Sequence, residues 1–559
     1  MRSFASLLAE ILALSVLLSA VSSAQVTTAQ FGNDRAGAVT TERVLTPGNV
    51  RSSTFGKVAT FQVDGDVYAQ PLYVPRLDLR SGTHDVLFVA TEHGSIYAFD
   101  ASSRGGSPLW KTSFIDPSID ITPVSFRDAN CPFIKPEIGI TPTPVIDAGA
   151  GTMYVLMRTK EPTTSGDHRF VQRLHALNIR TGAEQAPPVE IRASVKGSGS
   201  ASRGGAIDFD PLRENPRATL LLDRGVVYLS WASTCDVGPY HGWIIAYDAK
   251  TLKQLGVFNA TPGGSEAGIW QGDAGLAADS AGNVYAVTGN GTFDDQASPA
   301  DYGNTVLKLA LTPNGFVVRD YFTPSDQAEL SSRDLDLGSS GPVLFSDESG
   351  SRRRLLFVTG KAGVSYLINR DRMGHYRPAD DGQAVQTLKT SGSGFGASAY
   401  WNHTLYVWGS NDVLKAYRIV GGKMESSPAL GPTISADPGA TPVVSANGLT
   451  NGIIWAIQTR TWRGADRQAV LHAYDASDVR RELYNSEMNA SRDRAGTALR
   501  FAMPTVADGR VFVGAKGEVN VYGLLGDAEH ALISRSSQRS ARSSRSSSAR
   551  VRPSATRRH

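Results

Sequence analysis

VLFVATEHGSIYAFD, residues 86–100, reads as two strands joined at a tight turn. The alternation of apolar residues expected along such units and the turn signal at His93-Gly94 are those of a β-meander. A short strand with a proline near its start, QPLYV (70–74), precedes the pair, and PLWKTSF (108–114) supplies a fourth strand. One such unit decides little. Its recurrence decides the fold.

The unit returns as TMYVLM…RLHALN (152–178), VVYLS…GWIIAYD (226–248), NVYAVTG…NTVLKLA (283–310) and LLFVTGKAGVSYLIN (355–369). It continues as TLYVWGSNDVLKAYR (404–418), GIIWAIQ…AVLHAYD (452–475) and RVFVGAKGEVNVYG (510–523). Short leading strands recur too, as in TPTPVID, GPVLF and TPVVS, and so do fourth strands, as in QLGVFN (254–259) and RELYNS (481–486). Self-similarity at a period of roughly 50 to 75 residues, with about four strands per repeat, predicts an all-β propeller of eight blades, with seven as the alternative count. The eighth unit has no fourth strand of its own. KVATFQV (57–63) alternates correctly and belongs to no unit, so it is expected to complete the last blade and close the ring.

The bulk composition agrees. In 559 residues, 41% are apolar and 56 are glycines, enough for a large core with many turns. Residues 1–24 have the pattern of a secretory signal: Arg2, an apolar stretch from Ile11 to Ala20, and Ser22-Ser23-Ala24 before Gln25. That stretch is too short for a stable membrane span, and no later segment reaches about 18 uninterrupted apolar residues. The mature chain is therefore expected to be a secreted or periplasmic protein without a transmembrane segment. Its expected parts are an N-terminal extension (25–54), the propeller (55–526) and a disordered Ser/Arg-rich tail (527–559).

The net charge of +3 hides an asymmetry. Eight arginines and no acid follow Ser534, and subtracting those eight leaves −5 for the rest. Such a tail suits an anionic surface such as lipopolysaccharide or nucleic acid, and equally suits plain solvation. Two cysteines, Cys131 and Cys235, are compatible with one disulfide in an oxidising compartment or with two separate buried thiols. Neither lies in a CxxC or CxxCH pattern, which argues against a structural zinc site or covalently attached haem.

The repeats resemble those of the pyrroloquinoline-quinone (PQQ) dehydrogenase-type propeller, in which a strand ends A-[FLY]-D and the next carries Trp, as in FVATEHGSIYAFD…PLW. The same propeller also serves as a non-catalytic scaffold in outer-membrane assembly lipoproteins, so the site residues matter more than the repeats. VYAVTGNGTFDD (284–295) resembles the segment in which a strand ending T-G-N provides a calcium-ligating asparagine, which implies that role for Asn290. SRDLDLGSSGPVLFSDESGSRRRLLFVTGKAGVSYLINRD (332–371) resembles the stretch from the catalytic aspartate to the basic residue at the quinone's C5 oxygen. That match implies Asp336 as general base and calcium ligand, and Lys361 as quinone contact. WASTCDVGPYHGWIIAYD places Asp236 nearest the acidic calcium ligand, and Trp270 in GIWQGDAG is the candidate indole beneath the quinone.

The residue types suit that chemistry. Asp and Asn oxygens are the ligands a hard cation takes. A cation and an ammonium group polarise a quinone carbonyl, and a carboxylate can take an alcohol's proton. The resemblance therefore implies a PQQ- and Ca²⁺-dependent oxidation of an alcohol, sugar or aldehyde, with electrons leaving to a separate acceptor. The alternative is a propeller scaffold that binds an envelope protein or glycan. The chain departs from the family in the two adjacent cysteines over the quinone, of which Cys131 alone is present. Matching would bring Cys131 and Cys235 both to the pocket, where a bridge between them would stand in for that pair.

Each site residue also has a plainer reading. Asn290 between two glycines is a common turn solution, because both residue types accept positive φ. Asp334 and Asp336 suit turn capping, Lys361 a solvated hairpin, and Trp270, like Trp110, a wedge between blades.

Overall fold

The computed structural model describes residues 24–272, 274–345, 354–459 and 467–526. The expected signal segment, apart from Ala24, and the expected tail lie outside the described residues. Eight sheets follow one another along the chain and make the eight-bladed propeller. Blade 1 has the strands Leu72–Leu79, Gly82–Ala90, Ser95–Asp100 and Trp110–Ser113, paired in that order. Its register sets Leu72 opposite Phe88 and Val86 opposite Asp100. The innermost strands of blades 2 to 7 begin at Val145, Leu221, Ala277, Val343, Ala399 and Val443.

Every sheet is sandwiched between two others, so its middle strands have no wet face. Val86 to Ala90 are all buried, as are Trp243 to Tyr247 and Ala469 to Asp475. The alternation expected from the sequence is therefore not what burial shows in the middle strands, because both of their faces are covered. The outer strands do alternate: Trp110–Ser113 and Gln386–Lys389 are half-buried and exposed in turn. The apolar core is accordingly a series of interfaces between successive blades. Trp401, Tyr406 and Trp408 of blade 6, for example, pack against Ile454 and Tyr474 of blade 7. Trp110 is such a wedge, its indole N–H donating to the Ile179 carbonyl of the next blade at 3.1 Å.

The ring closes as expected. Arg510–Leu524 pairs with Thr505–Ala507 on one side and with Phe55–Asp66 on the other, so the N-terminal strand becomes the outermost strand of blade 8. Phe55 sits opposite Leu524 and Phe61 opposite Val519. Cys131 and Cys235 form a disulfide, with Cα atoms 5.5 Å apart and a separation of 104 positions in the chain.

Antiparallel pairing also fixes where function can gather. The start of each innermost strand lies at the same end of the ring as the turn between the two middle strands. Approach loops and middle turns from all eight blades therefore meet at one end of the central channel, called the upper end below.

Candidate functional site

At the upper end a cavity of about 180 Å³ is lined by Asp236, Trp270, Asp336 and Lys361, together with both cysteines of the disulfide. Asp236 and Lys361 come from the middle turns of blades 3 and 5, and Trp270 and Asp336 from the approach loops of blades 4 and 5. Asn290, from the middle turn of blade 4, lies behind Asp336. Its main-chain N–H donates to Asp336 Oδ1 at 2.6 Å. All five expected site residues thus gather in one place.

Asp336 is 4% exposed. Its second oxygen lies 2.5 Å from Lys361 Nζ, and the same ammonium donates to Asp334 Oδ1 at 2.6 Å. Asn290 Nδ2 also donates to Asp334 Oδ1, at 2.9 Å, while Asn304 Nδ2 donates to Asn290 Oδ1 at 3.3 Å. Burial pushes the Asp336 carboxyl above the ordinary carboxylate value, with Lys361 opposing the shift. Burial also pushes Asp236 up, and the charge of Asp336 adds to it. Burial alone would lower the Lys361 ammonium, but Asp336 and Asp334 more than reverse this and hold it raised. Two aspartates thus hold one lysine at the channel mouth, and Asp236 adds a third carboxyl to the same cavity.

The plainer readings fare poorly against these contacts. Asn290 is not among the residues with positive φ, and neither are Gly289 and Gly291. The glycines are instead places of close approach. A Cβ on Gly289 would lie 2.2 Å from Asp336 Oδ1 and 3.0 Å from Trp270 Cδ1, and one on Gly291 would lie 2.4 Å from the Ala267 nitrogen. Asp336 makes no capping bond to the short helical turn that follows it. Lys361 is enclosed by carboxylates rather than solvated.

The cavity chemistry can be tested against the implied cofactor. The indole of Trp270 packs over Gly289, with its Nε1 buried and without a hydrogen-bond partner. Arg217 stacks on Phe501 with its guanidinium 5.0 Å from the ring centre, and Arg500 lies 5.4 Å from Phe501 and 4.8 Å from Phe133. Aromatic surfaces with three cationic side chains suit a flat, multiply anionic molecule such as PQQ. Asp236 and Asp336 suit a hard cation between or beside them. Among the described residues no three His, Cys, Asp or Glu side chains converge as a metal shell, so that cation would draw its further oxygens chiefly from the ligand, the Asn290 amide oxygen lying behind Asp336 and accepting from Asn304. The residues fit the pair of groups on those terms.

Arg217, Arg500, Phe501 and Phe395 were not legible as site residues. All four stand a few positions before an innermost strand, at Leu221, Thr505 and Ala399. Position relative to that strand is the signal that could have found them.

No protein-family model and no curated protein matches the chain. Solved structures do match. A quinohaemoprotein alcohol dehydrogenase from Pseudomonas putida HK5 is 14% identical with a TM-score of 0.57, over 91% of this chain and 82% of that one. The quinohaemoprotein alcohol dehydrogenase of Comamonas testosteroni is 12% identical with a TM-score of 0.55, over 89% and 80%. A europium-containing methanol dehydrogenase is 13% identical with a TM-score of 0.56, over 91% of this chain and all of that one. In fold, this chain is a propeller that resembles those of the quinoprotein alcohol dehydrogenases.

Proposed function

We propose that this protein is exported, binds PQQ with Ca²⁺ in the upper cavity, and oxidises an alcohol, sugar or aldehyde, handing electrons to a separate acceptor. The observation that carries the reading is convergence. Asp236, Asn290, Trp270, Asp336 and Lys361 come from two approach loops and three middle turns of blades 3, 4 and 5, and they meet at one channel mouth. Asp236 and Asp336 would hold the cation, with Asn290 as the further ligand that the resemblance implies, and Trp270 would offer its indole as a floor for the quinone. Bound there, the quinone would supply the two-electron oxidant and the calcium ion the Lewis acid that polarises it.

The protein's own part is positioning and proton transfer. Asp336 takes the substrate hydroxyl proton onto a carboxylate oxygen. Burial makes it a stronger base than an exposed aspartate, while Lys361 and the Asn290 N–H keep its ionised form oriented. Lys361 places a positive charge where negative charge would develop on a bound oxygen. The Ser/Arg-rich tail is proposed to touch anionic surfaces near the site of action.

The test is a titration of residues 25–526 with PQQ, with and without Ca²⁺, read by tryptophan quenching. Saturable, calcium-dependent binding supports the reading and calls for a substrate screen with an artificial electron acceptor. Absence of binding under both conditions overturns it and leaves a propeller scaffold for an envelope protein or glycan.

A further inference from the structure

The inner edges of eight sheets face the channel of a propeller, and each is a row of main-chain N–H and C=O groups with no neighbouring strand. In this protein residues 26–42 visit those edges in ring order. Val26 exchanges two main-chain bonds with Tyr73 of blade 1, and the Thr27 carbonyl accepts from Ile146 of blade 2. Asn33 Nδ2 donates to Leu222 O of blade 3, and the Asn33 carbonyl accepts from Ala278 of blade 4. The carbonyls of Asp34, Ala36 and Gly37 accept from Leu344, Tyr400 and Val444 of blades 5, 6 and 7. Ala38 and Val39 then run parallel to blade 7, and Glu42 Oε2 accepts from Gly509 of blade 8.

The segment is held at its centre by Arg35, which is wholly buried. Its guanidinium donates to the carbonyls of Ala29, Leu220 and Leu276 and to Thr28 Oγ1, at 2.8 to 3.2 Å. Gln30, Phe31 and Arg35 all have left-handed backbones, with φ of 55°, 67° and 56°. Residues without glycine's freedom hold that conformation only where their surroundings impose it.

The upper cavity lies directly above. Its lining residues Tyr68, Arg217, Gly272, Ser339 and Phe395 precede the residues that bond this segment by about three to five positions, or roughly 10–17 Å of strand. Gln70 connects the two levels. Its Oε1 accepts from the Gln30 N–H at 3.0 Å, and its Nε2 donates to Pro504 O, close to Arg500 and Phe501, at 3.2 Å.

We propose that residues 26–42 are a stopper that closes the lower end of the channel, making the cavity a blind well with one mouth, and that Gln70 is a positioning residue tying that stopper to the cavity wall. Ligand enters and leaves by the upper mouth alone. The stopper acts as one unit, because its bonds to eight blades are made by a single strand of chain under shared strain.

Two measurements test this without any quinone, so their failure and the failure of the PQQ reading are separate events. In the unmodified protein, the amides of Tyr73, Ile146, Ala278, Leu344, Tyr400 and Val444 are expected to exchange with solvent as one group, by release of the stopper. Exchange of each amide with its own blade instead would overturn the idea of a single unit. The second measurement is acrylamide quenching of the Trp270 fluorescence, obtained by difference from Trp270→Phe in each background. Gln70→Met and Arg35→Met are expected to raise that quenching constant about twofold through opening from below. Tyr406→Phe, which loses a bond to Ala476 O between blades 6 and 7, is expected to lower the melting temperature while leaving the quenching constant unchanged. Folded Gln70→Met protein with unchanged quenching would remove Gln70 and the stopper from any role in the well.

Discussion

The two ends of the central channel are built from the same eight strands and treat polar groups in opposite ways. At the lower end, main-chain groups are satisfied one by one by residues 26–42, and the buried guanidinium of Arg35 is surrounded by carbonyls. At the upper end, Asp334 and Asp336 pair with Lys361, Asp236 shares their cavity, and further carboxyls are buried elsewhere at that end. Glu92 is one, pushed up to about 7 chiefly by burial, with Oε1 lacking a hydrogen-bond partner. One end is arranged for stability. The other carries unfavourable electrostatics of the sort that a bound ligand relieves.

That contrast can be broken most forcefully at Asp336. Asp336→Asn keeps an acceptor for the Asn290 N–H but removes the base, and is expected to lower dye reduction by about a hundredfold or more while leaving thermal unfolding near that of the parent. Undiminished activity would take Asp336 out of the mechanism. Removing the disulfide that borders the cavity, as Cys131→Ser with Cys235→Ser, is expected to cost about 2–4 kcal/mol in urea unfolding, because it closes a long loop.

Smaller effects sharpen the comparison by their sign. Asn33→Ala, at the lower end, removes the bond to Leu222 O and should destabilise by about 1 kcal/mol. Asp236→Asn, at the upper end, should instead raise the melting temperature of the calcium-free protein at neutral pH, since burial and Asp336 both disfavour its charge. A loss of stability there would mean that the upper carboxylates are structural.

Glu92→Gln should be the subtlest, visible as a slope. The folded-state value of about 7 lies above the ordinary 4.5, so the folded chain holds the proton longer. The associated stability is complete below the unfolded value and is lost as pH rises through that window. Melting temperatures of Glu92→Gln should therefore fall less between pH 4.5 and 7 than those of the parent, and a parallel pair of curves would clear Glu92 of any part.

How far these features were legible differs residue by residue. The middle strands were legible from their apolar content and the turns that close them, as at Leu87 to Ala90, although burial of both faces leaves no true alternation there. Phe55–Asp66 was legible as the closing strand because it alternates and had no unit of its own. The five candidate residues could be picked out by resemblance, while Asn290 looked no different from a turn residue. What the structure adds is their closeness, which rests on Gly289, whose missing Cβ lets Asp336 and Trp270 approach.

The order of strands, the number of repeats and the closure of the ring were thus determined by the sequence itself, since burial on two faces leaves a local pattern that repeats. Two things were decided only by the tertiary structure. Arg217 and Arg500 join the cavity because the approach loops of distant blades converge on one axis, and no local pattern records that. Residues 26–42 showed no periodicity, because their partners are main-chain groups of eight separate strands, and a main-chain partner leaves almost no mark on which side chain is chosen.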